Sequence, residues 1–265
     1  MSSRSPKRKA ASASLGFVDY LRRRLEDDPP AQKGERTRAR LTLATAEMLE
    51  ARGYHAMRVA DITAAAGLAD GSFYVYFKDK REASLAALST YLSEFVDRFA
   101  PLEAVGRSFE SIRMAQRRWL DLCRANAGLI RCLFQLGDQE ADFARLVERT
   151  TRDWHRRVAA SMEAARPGDA EARLLAIYLM GSLMDELIRK LIVFPDREFR
   201  TLLRAWGADD EAVLDAVCLL WIRLFDPEAP PPDDLSPIVA RLAAMMWPGS
   251  PRPAAQRTRA RRTPK

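Results

Sequence analysis

The feature that most constrains the fold of this chain is the segment 53–80, which contains two short stretches of helical character separated by a glycine. In the first stretch, Val59, Ile62 and Ala66 recur at helical spacing. Gly67 follows at the point where a helix can end in a left-handed conformation that side chains with a Cβ rarely adopt. The pattern therefore predicts a short helix that ends in a tight turn.

The second stretch predicts another short helix directly after this turn. Phe73 and Phe77 are one helical turn apart and are expected to be buried, which leaves polar and aromatic side chains for the exposed faces. Two short helices joined in this way fit the major groove of DNA, where such side chains contact bases and phosphates. The alternative is an ordinary helical bundle in which the turn serves only packing.

An ordered series of glycine, aromatic and lysine positions resembles the TetR (tetracycline-repressor) family of bacterial transcription regulators. The series reads Gly53-Tyr54, Val59-x-Asp61-Ile62, Ala66-Gly67-Leu68, Gly71-Ser72-Phe73-Tyr74-x-Tyr76-Phe77 and Lys78-Asp79-Lys80. The resemblance covers residues 35 to about 95. It implies an all-α fold with an N-terminal three-helix helix-turn-helix DNA-binding domain and a larger C-terminal helical domain for ligand binding and dimerisation.

The resemblance also assigns roles to the residues of the second helix. Tyr76 and Lys80 are expected to contact phosphate, while Ser72, Tyr74 and Val75 are expected to face base edges. The complete set predicted to bind DNA is Arg58, Asp70, Gly71, Ser72, Tyr74, Val75, Tyr76 and Lys80.

Two of these positions depart from the family pattern. Arg58 stands where Thr or Ser is common, and its longer side chain can still reach a phosphate. Asp70 stands where a basic or polar residue is usual, and phosphates would repel its carboxylate. We expect Asp70 to cap the recognition helix, the alternative being a bond from a cytosine amino group. Arg36, Arg38 and Arg40 lie near the start of the helix predicted over residues 35–52. They either approach phosphates or are solvated.

The positive charge of the chain lies in its two tails. Residues 1–9 and 252–265 contain ten basic and no acidic residues, and because the whole chain has a net charge of +7, the body between them is left at −3. Such tails either add phosphate contacts or are solvated ends. Deletion of residues 1–30 and 250–265 is expected to leave the fold and the preferred operator unchanged.

Catalytic and membrane functions have little support in the sequence. His55 and His155 are the two histidines, and neither has an acidic or cysteine partner at the spacing of a metal site or catalytic triad. Phosphate-binding loops and zinc motifs are missing as well. We therefore predict no enzyme, no metal and no cofactor. The sequence has no run of 18 apolar residues, so a cytoplasmic protein is expected. In such a protein three buried thiols are expected to stay reduced, namely Cys123, Cys132 and Cys218.

The chain is predicted to have five parts. They are a disordered basic arm that can contain a short helix (1–34), the DNA-binding domain (35–95), an effector-binding and dimerisation domain (96–226), a stiff Pro-rich linker with an extra helix (227–248), and a disordered basic tail (249–265). Helices are predicted near 17–25, 35–52, 81–99, 107–125, 127–136, 139–165, 169–194, 196–205, 209–225 and 235–247.

By resemblance, the last two long helices of the family's core pair with their copies in a second subunit as a four-helix bundle. Gly181 and Ser182 would permit close approach of the helices, and large apolar side chains would supply buried area. The residues predicted at this interface are Gly181, Ser182, Leu183, Leu187, Leu191, Leu220 and Phe225. The same stripes can instead belong to the intramolecular core.

The resemblance finally implies a small-molecule effector that enters the helical body and lowers DNA affinity. Candidate pocket residues are Trp119, Phe134, Gln135, Trp154, Tyr178, Asp185 and Trp206, although aromatic residues at helical spacing are more often core than pocket. The predicted function is that of a repressor released from a palindromic double-stranded operator by a largely apolar or amphiphilic effector. The alternatives are an activator of the same family and a helical protein-interaction module without a DNA role.

Overall fold

The computed structural model of the protein describes residues 15–99, 108–165 and 169–248. These residues form α-helices joined by turns and two π-helical segments, with no strand among them, which confirms the all-α class. The chain divides into two compact units, of which the first comprises Met1–Ala104 with Arg118–Phe194 and the second Val105–Arg117 with Pro195–Lys265. Both basic tails, residues 1–9 and 252–265, lie outside the described residues.

The N-terminal part of the first unit contains six helices and one π-helical segment. They are α1 (Phe17–Asp27), α2 (Lys33–Arg52), α3 (Val59–Ala66), α4 (Asp70–Phe73), α5 (Lys80–Thr90), the π-helical segment Tyr91–Val96, and α6 (Asp97–Phe99). Gly53, which ends α2, and Gly67, which ends α3, both have positive φ angles, as the sequence predicts.

The remaining helices continue through both units. They are α7 (Phe109–Ala125), which begins in the second unit, α8 (Ala127–Gln139), α9 (Ala141–Ala165), α10 (Ala170–Ile188) with the π-helical segment Arg189–Val193, and, in the second unit, α11 (Arg197–Ala205), α12 (Asp210–Phe225) and α13 (Pro237–Met246). The predicted helices agree with these bounds to within a few residues, but the two π-helical segments were not predicted.

Helix α1 is an integral part of the first unit. Phe17 is fully buried, and its ring lies 5.4 Å from the rings of both Tyr91 and Phe95. An ion pair of 2.6 Å joins Arg24 to Glu94. The expectation that residues 1–30 can be deleted without effect on the fold is therefore wrong, because that deletion removes the Phe17 side chain from an aromatic cluster.

In the second unit, helix α13 packs against α12. The Trp247 indole donates to the carbonyl of Ala229 at 2.8 Å, and the Arg223 guanidinium lies 5.3 Å from the Trp247 ring centre. Arg223 also donates to the carbonyl of Pro227. The Pro-rich stretch is thus a turn that returns α13 to α12, a course that proline content alone did not indicate.

Three features of the described residues concern membrane-spanning helices, metal sites and cysteine thiols. Within the described ranges, no helix is both long and apolar enough to cross a bilayer. Nor do those residues include a group of three His, Cys, Asp or Glu side chains that could hold a metal ion. The three cysteines are buried and unpaired, as predicted, and desolvation raises the pKa of the Cys218 thiol to about 12.

Candidate DNA-binding site

Helix α3 has well-defined ends that fix its position against α2. At its start, an Asp61 carboxylate oxygen accepts from the Arg58 amide at 2.9 Å, and Arg52 of α2 forms an ion pair of 2.8 Å with the same carboxylate. The Arg58 amide and the nearby Arg52 guanidinium hold the pKa of Asp61 below its ordinary value. At its end, Gly67 adopts the left-handed conformation with φ 64° and ψ 42°.

Helix α4 begins immediately after this turn, but Asp70 does not cap it. Ala69 occupies the N-cap position, and Asp70 is the first helical residue. The Asp70 carboxylate instead accepts from the Thr63 hydroxyl of α3. The predicted capping role is therefore wrong, because the side chain is directed toward the neighbouring helix, where it links the two helices of the motif.

The exposed part of α4 and the turn after it presents the residues predicted to face base edges. Tyr74 is 61% exposed and Val75 is 76% exposed, although both have large apolar surfaces that water solvates poorly. Phe73 and Phe77 are buried beneath them, as predicted. Two exposed side chains with apolar surface at this position are compatible with contact to base edges, for example to a thymine methyl group.

The other predicted DNA-binding residues vary in accessibility. Gly71 is exposed, and a Cβ at this position would have no neighbour within 4 Å. Arg58 is also exposed, whereas Ser72 and Tyr76 are half-buried. The Tyr76 hydroxyl would lie 3.8 Å from a Cβ on Gly34, so this side chain packs along the start of α2.

Lys80 has intramolecular partners that the sequence did not reveal. Its ammonium donates to the carbonyls of Tyr54 at 3.1 Å and Met57 at 3.0 Å, and it lies 4.7 Å from the centre of the Tyr54 ring. An ammonium has three N–H groups, so a phosphate contact is compatible with these two bonds. Lys80 thus holds the loop between α2 and α3 in addition to its predicted role.

Arg40 is a positioning residue for the motif. Its guanidinium donates to the carbonyl of Ala66 at 2.5 Å and so occupies the C-terminal end of α3. Arg38 lies over the ring of Phe77 at 5.0 Å, while Arg36 is exposed. Positive charge near these helices suggested phosphate contacts for all three arginines, but the carbonyl partner of Arg40 becomes recognisable only after α2 and α3 have packed.

The predicted pocket residues do not all lie together. Trp206 belongs to the second unit, whereas the other six belong to the first. In the first unit, the buried His155 contacts the rings of Trp154 at 5.3 Å and Tyr178 at 4.2 Å. His155 was predicted to be structural, and desolvation lowers its pKa.

Asp185 on α10 has an unusual environment. Its side chain is exposed by accessible area, yet loss of hydration raises its pKa to about 6. Surrounding protein therefore displaces part of the bulk solvent around this carboxyl although the residue stays accessible to water. The same carboxylate contributes to the raised pKa of the buried Cys123 thiol. Trp119, Phe134 and Gln135 are half-buried.

Replacement of Asp185 by Asn is expected to stabilise the protein at pH 7.5 and to have little effect near pH 4. The folded-state pKa is above the unfolded-state value, so the unfolded chain releases this proton at lower pH. The carboxylate therefore destabilises the fold as pH rises from about 4 to about 6. Thermal unfolding of the wild type and the variant across this range measures the effect. The exposed Asp138 on α8 is a control, and an equal gain from Asp138→Asn would contradict the assignment.

The structure changes the set of residues available for a subunit interface. A Cβ on Gly181 would lie 3.1 Å from Cε1 of His155 and closer still to Nε2, so the space beside this glycine is filled by its own chain. Leu191 is likewise buried, with 3% of its surface exposed. These two predicted interface positions therefore offer little free surface to a second subunit, because intramolecular packing already occupies much of the space around them.

The other predicted interface residues remain accessible to different degrees. Ser182 is exposed, and Leu183 and Leu187 are half-buried. In the second unit, Leu220 is 37% exposed, while Phe225 stacks on Trp221 at 4.9 Å. Sequence periodicity missed the most exposed leucines of α10, Leu175 at 62% and Leu179 at 63%.

Comparison with known proteins places this geometry in a family. Residues 41–86 match the family model described as "Bacterial regulatory proteins, tetR family". A curated relative, the fatty acid metabolism regulator protein of Bacillus subtilis, is 34% identical over 55 residues. That match covers 21% of this chain and 28% of the relative's length.

Solved structures share the fold at low sequence identity. A chain from Mesorhizobium loti described as a TetR-family transcriptional regulator has a TM-score of 0.57 at 16% identity, covering 73% of this chain and 98% of that one. A transcriptional regulator from Rhodococcus sp. Rha1 has a TM-score of 0.56 at 17% identity, covering 70% and 96% of the two chains.

Fold and site together define a helix-turn-helix protein with a larger helical remainder. The helix-turn-helix segment of the chain, residues 41–86, is of the type found in the TetR family of bacterial regulatory proteins. This family consists of regulators and not of enzymes, in agreement with the prediction that the chain is not an enzyme.

Proposed function

We propose that the protein is a sequence-specific DNA-binding regulator of transcription. The observation that carries this proposal is the exposed pair Tyr74 and Val75, which directly follow helix α4, itself joined to α3 by the Thr63–Asp70 bond. Adjacent exposed apolar side chains next to a helix-turn-helix motif form a small patch that a partner surface can cover. A short helix of this kind presents them to base edges in the major groove.

Selection of bound fragments from random DNA tests the proposal. The expected result is a pseudo-palindromic motif whose half-sites lie one helical turn, about 34–36 Å, apart, because two subunits would read successive major grooves. Recovery of no motif even at low salt would overturn the proposal and favour a helical protein-interaction module.

The proposed regulator acts as a homodimer. Leu175 and Leu179 lie one helical turn apart on α10 and are both more than 60% exposed, and Ser182 continues the same exposed stripe. Burial of such a stripe against a second copy would remove apolar surface from water, which favours association. Leu220 and Leu224 of α12, with 37% and 49% exposure, are additional candidates for burial.

Leu179→Arg is expected to give monomers with poor operator affinity and an unchanged fold. A guanidinium in the centre of an apolar interface would lose its hydration without gaining a partner. Sedimentation measures the oligomeric state, and circular dichroism monitors the fold. Met245→Arg, at an 80% exposed position in the second unit, is the matched control and should stay dimeric. A dimeric Leu179→Arg variant would exclude this stripe from the interface.

The proposed regulation is repression relieved by a small amphiphilic molecule that binds within the first unit. The solvent-accessible but partly desolvated Asp185 carboxyl and the Trp154–His155–Tyr178 rings supply polar and apolar contacts on α9 and α10. Such a ligand lowers DNA affinity only if it binds better to the conformation that does not bind DNA. A screen of amphiphiles for a rise in melting temperature tests binding, and release of the selected operator tests regulation.

A further inference from the structure

We propose that Glu50 and Asn126 are positioning residues for DNA recognition, because they tie helices α1 and α2 to the corner between α7 and α8. This corner, the α7–α8 corner, is formed by Asn126–Leu129. The inference rests on the proposed DNA-binding function and concerns contacts within the first unit.

Glu50, near the end of α2, satisfies the first turn of α8. One carboxylate oxygen accepts from the amide of Gly128 at 3.0 Å, and the other accepts from the amide of Leu129 at 2.9 Å. The first N–H groups of a helix have no intrahelical acceptor, and a negative charge at this end also interacts favourably with the helix dipole. The side chain of Asn126, the N-cap residue of α8, does not cap this helix. Glu50, which belongs to α2, caps it instead.

Asn126 forms the second tie from the same corner. Its side-chain oxygen accepts from the amide of Phe17 at 2.7 Å, and its side-chain nitrogen donates to the carbonyls of Leu15 at 2.7 Å and Leu122 at 2.8 Å. Asn126 is 1% exposed, so these bonds have little competition from water. The start of α1 is thereby fixed to the end of α7.

The Glu50 tie acts directly on α2, the helix that supports the recognition segment, and α1, which Asn126 holds, packs against that same helix. Helix α2 carries Glu50 at one end and, ten residues earlier, Arg40, whose guanidinium holds the end of α3. At a rise of about 1.5 Å per residue these positions are roughly 15 Å apart along α2, so a tilt of α2 at the corner moves α3 and α4. Glu50 thus acts on DNA recognition through α2, without any contact with DNA.

A positioning role predicts a specific pattern of DNA binding. Glu50→Ala is expected to lower affinity for the selected operator by at least about tenfold, since base contacts tolerate little displacement. The dependence of affinity on salt should stay unchanged, because no phosphate contact is removed. Glu50→Gln keeps the size and one acceptor and should recover part of the affinity. Glu148→Ala, at an exposed position of α9, removes the same charge and should bind as the wild type does.

Hydrogen exchange of the full chain separates positioning from general loss of stability. The amides of Gly128 and Leu129 should exchange faster in both Glu50 variants, while circular dichroism shows an unchanged helix content. In the wild type, selected operator DNA should slow the exchange of these two amides, and in Glu50→Ala this effect should disappear. If Glu50→Ala fails to fold, Glu50→Gln carries the comparison.

Failure of the positioning role can be told apart from failure of the proposed DNA-binding function. Faster exchange at Gly128 and Leu129 together with wild-type operator affinity in the Glu50 variants would overturn the positioning role alone. A wild type that selects no DNA would overturn the proposed function, and this inference with it.

Discussion

Gly128→Ala is expected to lower the free energy of unfolding by about 3 kcal/mol. A Cβ at this position would lie 2.7 Å from both the Cα and the carbonyl carbon of Glu50, and closer still to the carbonyl oxygen. All three atoms belong to the backbone of α2, so no side chain can rotate away to make room. Helices α2 and α8 would have to separate, at the expense of the Glu50 bonds to the start of α8.

Gly137 of the same helix supplies the matched control. A Cβ there would have no neighbour within 4 Å, and alanine is a better helix former than glycine by roughly 0.5–1 kcal/mol. Gly137→Ala should therefore raise the urea midpoint while Gly128→Ala lowers it. Urea unfolding followed by circular dichroism measures both, and a shift of the same sign in the two variants would contradict the close approach of α2 and α8.

Lys80→Ala is expected to weaken binding to all DNA sequences and to lower the slope of the logarithm of affinity against the logarithm of salt concentration by about one unit. The variant loses one predicted phosphate contact. It also leaves the carbonyls of Tyr54 and Met57 without their charged donor, which should cost about 1–2 kcal/mol of stability. Titrations of the selected operator at several salt concentrations measure the slope.

Comparison with neighbouring positions makes the Lys80 result specific. Lys78→Ala, two residues earlier at an exposed position, controls for the loss of one positive charge. Tyr74→Ala should instead change which operator is preferred, because this side chain is predicted to face bases. A Lys80→Ala variant with altered sequence preference and an unchanged salt slope would show that the two roles are assigned wrongly.

The sequence predicted those features that depend on local periodicity. The bounds of α2, α3 and α12, the left-handed Gly67 and the buried pair Phe73 and Phe77 all follow from patterns that repeat within one or two helical turns. In these segments, helical propensity, apolar spacing and turn residues favour the same structure, and tertiary packing does not override these local preferences.

The features that the sequence did not predict are contacts between distant polar groups. Glu50 and Gly128 are 78 positions apart, and Phe17 and Asn126 are 109 apart, so no local pattern links either pair. Asp70 illustrates the same limit at short range. An Asp before a helix normally caps it, but the Thr63 hydroxyl of the preceding helix competes for the carboxylate. Which polar groups bond to each other depends on how the helices pack, and composition does not specify this packing.

The bond between Phe17 and Asn126 has a consequence for how the protein is made. Helix α1 is synthesised before its binding partner at the α7–α8 corner, which follows 109 residues later. At typical synthesis rates this is an interval of roughly 5–20 s. During that time the Phe17 ring can already meet Tyr91 and Phe95, but the Phe17 amide lacks the asparagine oxygen to which it is later bonded. Completion of the contacts at the start of α1 is therefore coupled to translation of the body, and a chain truncated before Asn126 lacks the partner of the Phe17 amide and of the Leu15 carbonyl.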